Sequence, residues 1–257
     1  MNQSAIRNQY VAHGVEGYYS QYGGQYTNPH ERQVRLCINH GLATWKRDLL
    51  PPAGTDTDTG IDTNLQKSFK VLDLACGSGE ATRACQLWIE SQNNVGNSAS
   101  DSVLSRLHIA RPLQQTNVTS DKAAAATEED SGRIKFAYTA CDPFTADAFT
   151  SATSLPCLSY SFRDIAQGCL DDHFADCEGV ADEDGSFDLA ICSFALHLLD
   201  NSNLFATLDA LARRAKVLMV LSPHKRPVIE SHMGWQQHEH TVIERVHVWL
   251  YTSIYRT

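Results

Sequence analysis

The alternation of apolar and polar positions divides the chain into a helical N-terminal part and a longer series of strands and helices. Val34, Ile38, Leu42, Trp45 and Leu49 recur at helical spacing and line one face. Asn28-Pro29-His30-Glu31 reads as the start of that helix, with Asn28 as cap, Pro29 at the first position and Glu31 closing a capping box. Pro51-Pro52 ends it, and residues 54–64 form a polar linker. Val71, Leu72 and Leu74 then read as a strand buried on both faces, followed by a helix carrying Ala81, Cys85, Leu87 and Trp88.

Four more strand signals follow. Residues 134–141 alternate, 158–162 form a short run, and 187–199 and 217–221 are continuous apolar runs. Leu204, Leu208, Leu211 and Ala212 supply the helix between the last two, capped by Asn201 or Ser202. The tail predicts a closing hairpin. Its first strand, 239–242, is short and polar, and its second alternates Val246, Val248, Leu250 and Thr252 against His247, Trp249 and Tyr251.

Composition changes this picture in one place. Between Ile89 and Lys135 there is no Phe, Trp or Tyr, and Ser, Asn, Gln, Thr and Ala dominate. Such a stretch lacks the apolar content to offset its ordering entropy, so about 92–131 is expected to be a disordered or loosely helical insertion. The organisation is then an N-terminal helical cap and linker over 1–65 and an α/β domain over 66–257 carrying that insertion. A chain of 257 residues can bury a full core.

No apolar run is long enough to span a membrane, and the N-terminus lacks the basic-then-apolar layout of a signal peptide. Eight cysteines without a C-x-x-C pair, with Cys76, Cys141 and Cys192 in apparent strands, read as reduced buried thiols. An intracellular protein is expected, cytoplasmic or nuclear, with neither zinc nor disulfides. His238-x-His240 has no further ligand beside it, so no metal is expected. The net charge of −9 disfavours a dedicated nucleic-acid binder, although much of it sits in one solvated loop containing Asp171, Asp172, Asp176, Glu178, Asp182, Glu183 and Asp184.

The candidate chemistry begins at Asp73-Leu74-Ala75-Cys76-Gly77-Ser78-Gly79, where a buried strand ends in an acid and a glycine corner opens a helix. Free amide groups point outward from such a corner. A dinucleotide fold would need a third glycine where Thr82 stands, which weakens the reading as a nucleotide-dependent oxidoreductase. The corner resembles motif I of the class I S-adenosylmethionine-dependent methyltransferases, with Ala75 at the first glycine. The N-terminal tyrosine-rich cap and the Ser222-Pro223-His224-Lys225-Arg226-Pro227 turn are similar to a group of small fungal and protist methyltransferases, a likeness that offers no substrate.

That resemblance implies a Rossmann-like seven-stranded sheet whose last strand is antiparallel, and S-adenosyl-L-methionine as cofactor. It implies that Gly77 and Gly79 lie against the cofactor's amino-acid end and ribose, and that Asp73 helps hold its ammonium. Asp142, beside Pro143 at the end of the second strand, is the candidate for the ribose hydroxyls once the insertion is discounted; a helix-start turn is the rival reading. Asp164 is placed near the adenine amino group, with an ordinary helix cap as its rival. Ser193 and Phe194 end the fourth strand at the floor of the methyl-transfer site. Tyr18 and Tyr26, among Tyr10, Tyr19 and Tyr22, either cover the core or close a lid on the sulfonium, and both can be true.

A small-molecule acceptor is expected, with RNA, protein or a non-catalytic partner subunit as alternatives. The Asn/Asp-Pro-Pro-aromatic motif of enzymes acting on base amino groups is absent. His197, His224 and His30 are the candidate bases, since histidine titrates near neutrality. Each has a plainer reading, as a core, turn or first-turn helix residue respectively.

Overall fold

The computed structural model describes residue 17 and residues 23–49, 68–98, 135–171 and 185–256. Strands β1 (Ser68–Leu74), β2 (Lys135–Cys141), β3 (Phe187–Ser193), β4 (Ala215–Ser222), β5 (Trp235–Ile243) and β6 (Val246–Ser253) form one sheet. Its spatial order is β2-β1-β3-β4-β6-β5. The first four strands are parallel, β6 runs antiparallel to β4, and β5 runs antiparallel to β6.

The apolar runs have this form because both faces of the sheet are covered. Helix α1 (Glu31–Thr44) and helix α2 (Glu80–Ser98) cover one face, where Val34, Ile38, Leu42, Ala81, Cys85 and Trp88 meet Val71, Leu189, Met219 and Leu250. Leu87, on the same turn as Trp88, is exposed. Further along the chain come α3 (Ala146–Thr153), α4 (Phe162–Ala166) and α5 (Asn201–Ala212). Helices α4 and α5 cover the other face, with Ile165, Leu204, Leu208 and Leu211 against Leu72, Ala190, Leu218 and Trp249. No described helix is long and apolar enough to cross a membrane.

Among the described residues the sheet has six strands, where seven were expected. The expected third strand is reduced to a single bridge, in which Leu158 pairs with Cys141 and accepts from the Asp142 N–H at 3.0 Å. Ser161 and Asp164 close a capping box there, turning residues 162–166 into helix before a strand can extend. Other boundaries also move. Helix α1 begins at Glu31 rather than Pro29, because Asn28 Oδ1 accepts from the His30 N–H at 2.9 Å in a local turn. Glu31 closes no box and instead pairs with Arg83. Helix α5 is capped by Asp200, which accepts from the Asn203 N–H at 2.9 Å.

Strand β5 is longer than the polar run suggested, because the edge of the sheet needs burial on one face only. The chain is helical through Ser98, seven residues into the expected insertion. The rest of the insertion, the linker, Pro51-Pro52, Tyr10, Tyr18, Tyr19, Tyr22 and most of the acidic loop lie outside the described residues.

Candidate functional site

After β1 the chain continues to β2 on one side and β3 on the other, so the sheet order reverses at β1. In open α/β sheets such a reversal leaves a crevice beyond the strands' carboxyl ends. Here the crevice lies over Leu74, Cys141 and Ser193.

The corner after β1 fills one wall. Ala75, Gly77 and Gly79 have φ of 50°, 58° and 80°, so three residues within five adopt left-handed backbone. Glycine does so freely and alanine does not. Phe194, directly after β3, is another residue of this kind, with φ 59°. Two non-glycine residues thus hold strained backbone at the ends of adjacent strands, and both face the crevice.

Three buried carboxylates surround the corner. Asp73 Oδ2 accepts from the Thr82 hydroxyl at 2.6 Å, while its Oδ1 is buried without a partner. Burial pushes the Asp73 carboxyl up to about 7; the Thr82 hydroxyl opposes the shift, and Glu80 and Asp142 add to it. Glu80 accepts from the Ser78 hydroxyl and from the Asn28 N–H at 3.3 Å, tying the segment before α1 to the corner. Asp142 Oδ1 accepts from the N–H groups of Phe144 and Thr145 at 2.8 and 3.0 Å, and Oδ2 from that of Gly77 at 3.4 Å. Asp142 therefore makes the helix-start turn, and its Oδ2 retains room for a further donor.

Between these walls lies a cavity of about 240 Å³. Ala75, Gly77, Asp142, Pro143, Ser193, Phe194 and Tyr26, all singled out in the sequence, line it. Asp73 lies beneath, buried behind the corner. Gly79 turns away from the cavity, since a Cβ there would stand 2.5 Å from Thr153 Cγ2 and 3.1 Å from Phe149 Cδ2. Asp164 is half-buried, does not line the cavity and is held in its capping box, its Oδ2 accepting from Ser161 N and Oγ at 2.8 and 2.7 Å. Tyr18 lies outside the described residues.

The sequence reading missed Glu80 and the apolar wall made by Phe144, Tyr160, Phe162 and Ile165. An acid beside Gly79 at the helix start was the available signal for the first. For the second, aromatic residues flank both Pro143 and Asp164.

None of the three candidate bases lines the cavity, although His30 and His197 adjoin residues that do. The His30 ring stacks on Phe194 at 5.3 Å and 4°. His197 belongs to a short turn between buried Leu196 and Leu198, which lines the cavity. Its ring stands 5.6 Å from that of His224, nearly perpendicular to it. His197 Nδ1 is buried without a partner, and burial, followed by His224, lowers its pKa from the ordinary value. A neutral imidazole results, which is the form a base requires. His224 itself is exposed. Among the described residues, no cluster of three or more His, Cys, Asp or Glu could hold a metal.

Fold and cavity define an α/β protein with a Rossmann-like sheet and a ligand crevice at its switch point. The chain belongs to the same family as the uncharacterised protein C17A5.05c of Schizosaccharomyces pombe, to which it is 31% identical over 268 residues, spanning 97% of this chain and 92% of that one. No protein-family profile matches the chain. Among solved structures it is similar to magnesium protoporphyrin IX methyltransferase from Synechocystis PCC 6803 with bound SAM, with 12% identity, full coverage of both chains and a TM-score of 0.45. It is also similar to a ribosomal protein L11 methylase from Lactobacillus delbrueckii subsp. bulgaricus, with 10% identity over 89% of this chain and 80% of that one and a TM-score of 0.41. A putative RNA methyltransferase from Pyrococcus horikoshii shares 9% identity over 91% and 87% of the two chains, with a TM-score of 0.44.

Proposed function

We propose that the chain is an S-adenosyl-L-methionine-dependent methyltransferase whose acceptor is a small molecule. One observation carries the reading. The crevice at the switch point is lined by the left-handed Ala75 and Gly77 and by Asp142, with Asp73 and Glu80 buried around the same corner, and the described partners of the three carboxylates are hydroxyl and N–H groups rather than cations. Such a set suits a ligand bearing positive charge, as an ammonium or sulfonium does, and disfavours a pyrophosphate.

The residues fit that cofactor chemically. Gly77 leaves the space that a side chain would fill, since a Cβ there would meet Tyr26 Cε1 at 3.0 Å. Asp142 Oδ2 offers an acceptor for a ribose hydroxyl, and Asp73 supplies negative charge beneath the corner. The wall of Phe144, Tyr160, Phe162 and Ile165 gives a flat base an apolar seat. When bound, the cofactor supplies an electrophilic methyl group. The chain's own contribution is to align an acceptor for in-line attack, which can account for about 7–11 kcal/mol of a barrier. His197, held neutral beside the cavity-lining Leu198 and next to His224, is the group proposed to take the acceptor's proton.

Calorimetric titration with S-adenosyl-L-methionine, S-adenosylhomocysteine and NADH tests the cofactor. Binding of the first two and not the third is expected; the reverse pattern would sink the proposal. A methyl-label transfer screen over small molecules then tests the acceptor class.

A further inference from the structure

Beneath the cofactor corner two thiols face each other. Cys76 lies between Ala75 and Gly77, and Cys157 precedes the Leu158 bridge; their sulfurs are 3.5 Å apart although 81 positions separate them. The juxtaposition is fixed by backbone on both sides of β2's end. The Cys76 N–H donates to Cys141 O at 3.3 Å, and the Leu158 N–H donates to Ala140 O at 2.8 Å. Around the sulfurs lies a small apolar cluster of Ala140, Phe149 and Leu155. Cys76 is buried and Cys157 is half-buried, so one partner is shielded and the other meets solvent.

We propose that Cys76 and Cys157 form a redox-modification site, an intramolecular disulfide produced by peroxide that reshapes the cofactor corner. Cys157 is the attacking group, because it is accessible and the Cys76 S–H donates to it and favours its thiolate. The hydrogen bond with Cys157, and then burial, raise Cys76, which holds its proton until the second step.

The chemistry balances with hydrogen peroxide as oxidant. The Cys157 thiolate attacks one peroxide oxygen, the O–O bond breaks, and hydroxide leaves and is protonated to water. This gives a sulfenic acid on Cys157. The Cys76 sulfur then attacks the Cys157 sulfur and the S–O bond breaks. The hydroxyl leaves as a second water, carrying the Cys76 proton. Two thiols and one peroxide become one disulfide and two waters.

Closing the bond draws the sulfurs from 3.5 Å to about 2.05 Å. That shift falls on the segment that carries the left-handed Ala75 and Gly77 and the 3.4 Å contact between Gly77 N and Asp142. The oxidised form is therefore expected to bind S-adenosyl-L-methionine more weakly, by about fivefold or more. This last consequence rests on the proposed cofactor; the disulfide itself does not.

The test uses the full chain, reduced and then exposed to a small molar excess of hydrogen peroxide. Peptide mass spectrometry without reductant is expected to recover Cys76 linked to Cys157, with loss of two titratable thiols that dithiothreitol restores. Cys157→Ser and Cys157→Ala should show no such link, and their cofactor affinity should be insensitive to peroxide. The inference is overturned if both thiols stay free in the folded wild-type chain, if Cys157 pairs with another cysteine, or if both redox forms bind the cofactor equally. Should the reduced chain bind no cofactor while the disulfide forms, the functional reading fails and the dithiol site stands.

Discussion

The Thr82 hydroxyl donates to Asp73 Oδ2 at 2.6 Å, so the residue that breaks the dinucleotide fingerprint is the one that steadies the acid beneath the corner. The second oxygen of Asp73, buried and without a partner, gives the arrangement its electrostatic character. A carboxylate left so is costly when ionised, and a cationic ligand removes that cost.

A pH dependence follows. The Asp73 pKa is raised from an ordinary 3.8 to about 7, chiefly by burial. The folded state thus holds a proton that the unfolded chain has already released. The resulting stabilisation is fully present below about pH 4 and is lost as pH rises through about 7. Melting temperatures of the wild type should fall relative to Asp73→Asn across that window, because the amide cannot ionise. Parallel curves for the two proteins would show that Asp73 titrates normally.

The two glycines of the corner should separate cleanly. Gly79→Ala places a Cβ 2.5 Å from Thr153 Cγ2 and 3.1 Å from the buried Phe149 ring, at φ 80°. It should cost about 1–3 kcal/mol of stability. Gly77→Ala projects toward Tyr26 at the cavity and should weaken cofactor binding more than it lowers the melting temperature. Denaturation and calorimetry on both variants check this, and an exchange of the two phenotypes would mean that the corner faces the other way.

This pair also marks how far the sequence could be read. The strand–acid–corner–helix order was legible because burial on both faces writes an apolar run, and a left-handed turn writes glycine. Which glycine faces the cavity was not legible, because it depends on α3 packing against Gly79 from 70 residues away. The missing strand shows the same limit. The short run at 158–162 looked extended, but the local bonds between Ser161 and Asp164 favoured a helix start. Asp142 was found by its place at a strand end, yet its service to Phe144 and Thr145 appears only in three dimensions.

Ala75 stands in left-handed backbone at φ 50°, which alanine adopts at a cost that glycine avoids. Ala75→Gly should therefore leave the fold intact and raise stability by up to about 1 kcal/mol, less the entropy that glycine adds to the unfolded chain. Urea denaturation measures it. A loss beyond 1 kcal/mol would mean that the alanine methyl contributes packing exceeding its strain.

The last expectation concerns the acceptor. His224, Lys225 and Arg226 follow β4 at the carboxyl end of the sheet and are all exposed. The described part of the acidic loop does not neutralise them, since Asp171 pairs with Arg214. The neighbouring His247 is lowered by burial, then by His240, Lys225 and His224, all of them basic. An anionic group on a small acceptor would find complementary charge there, and Arg226 can hold a carboxylate or phosphate through two parallel hydrogen bonds. Because Arg226 is exposed, Arg226→Ala should fold normally and bind cofactor as the wild type does. Loss of a charge-assisted contact of about 1.5–3 kcal/mol should raise the acceptor KM by at least about tenfold. An uncharged analogue of the same acceptor should lose much less on the same substitution. Steady-state kinetics with saturating cofactor decides it, and unchanged KM for the charged acceptor would remove Arg226 from the site.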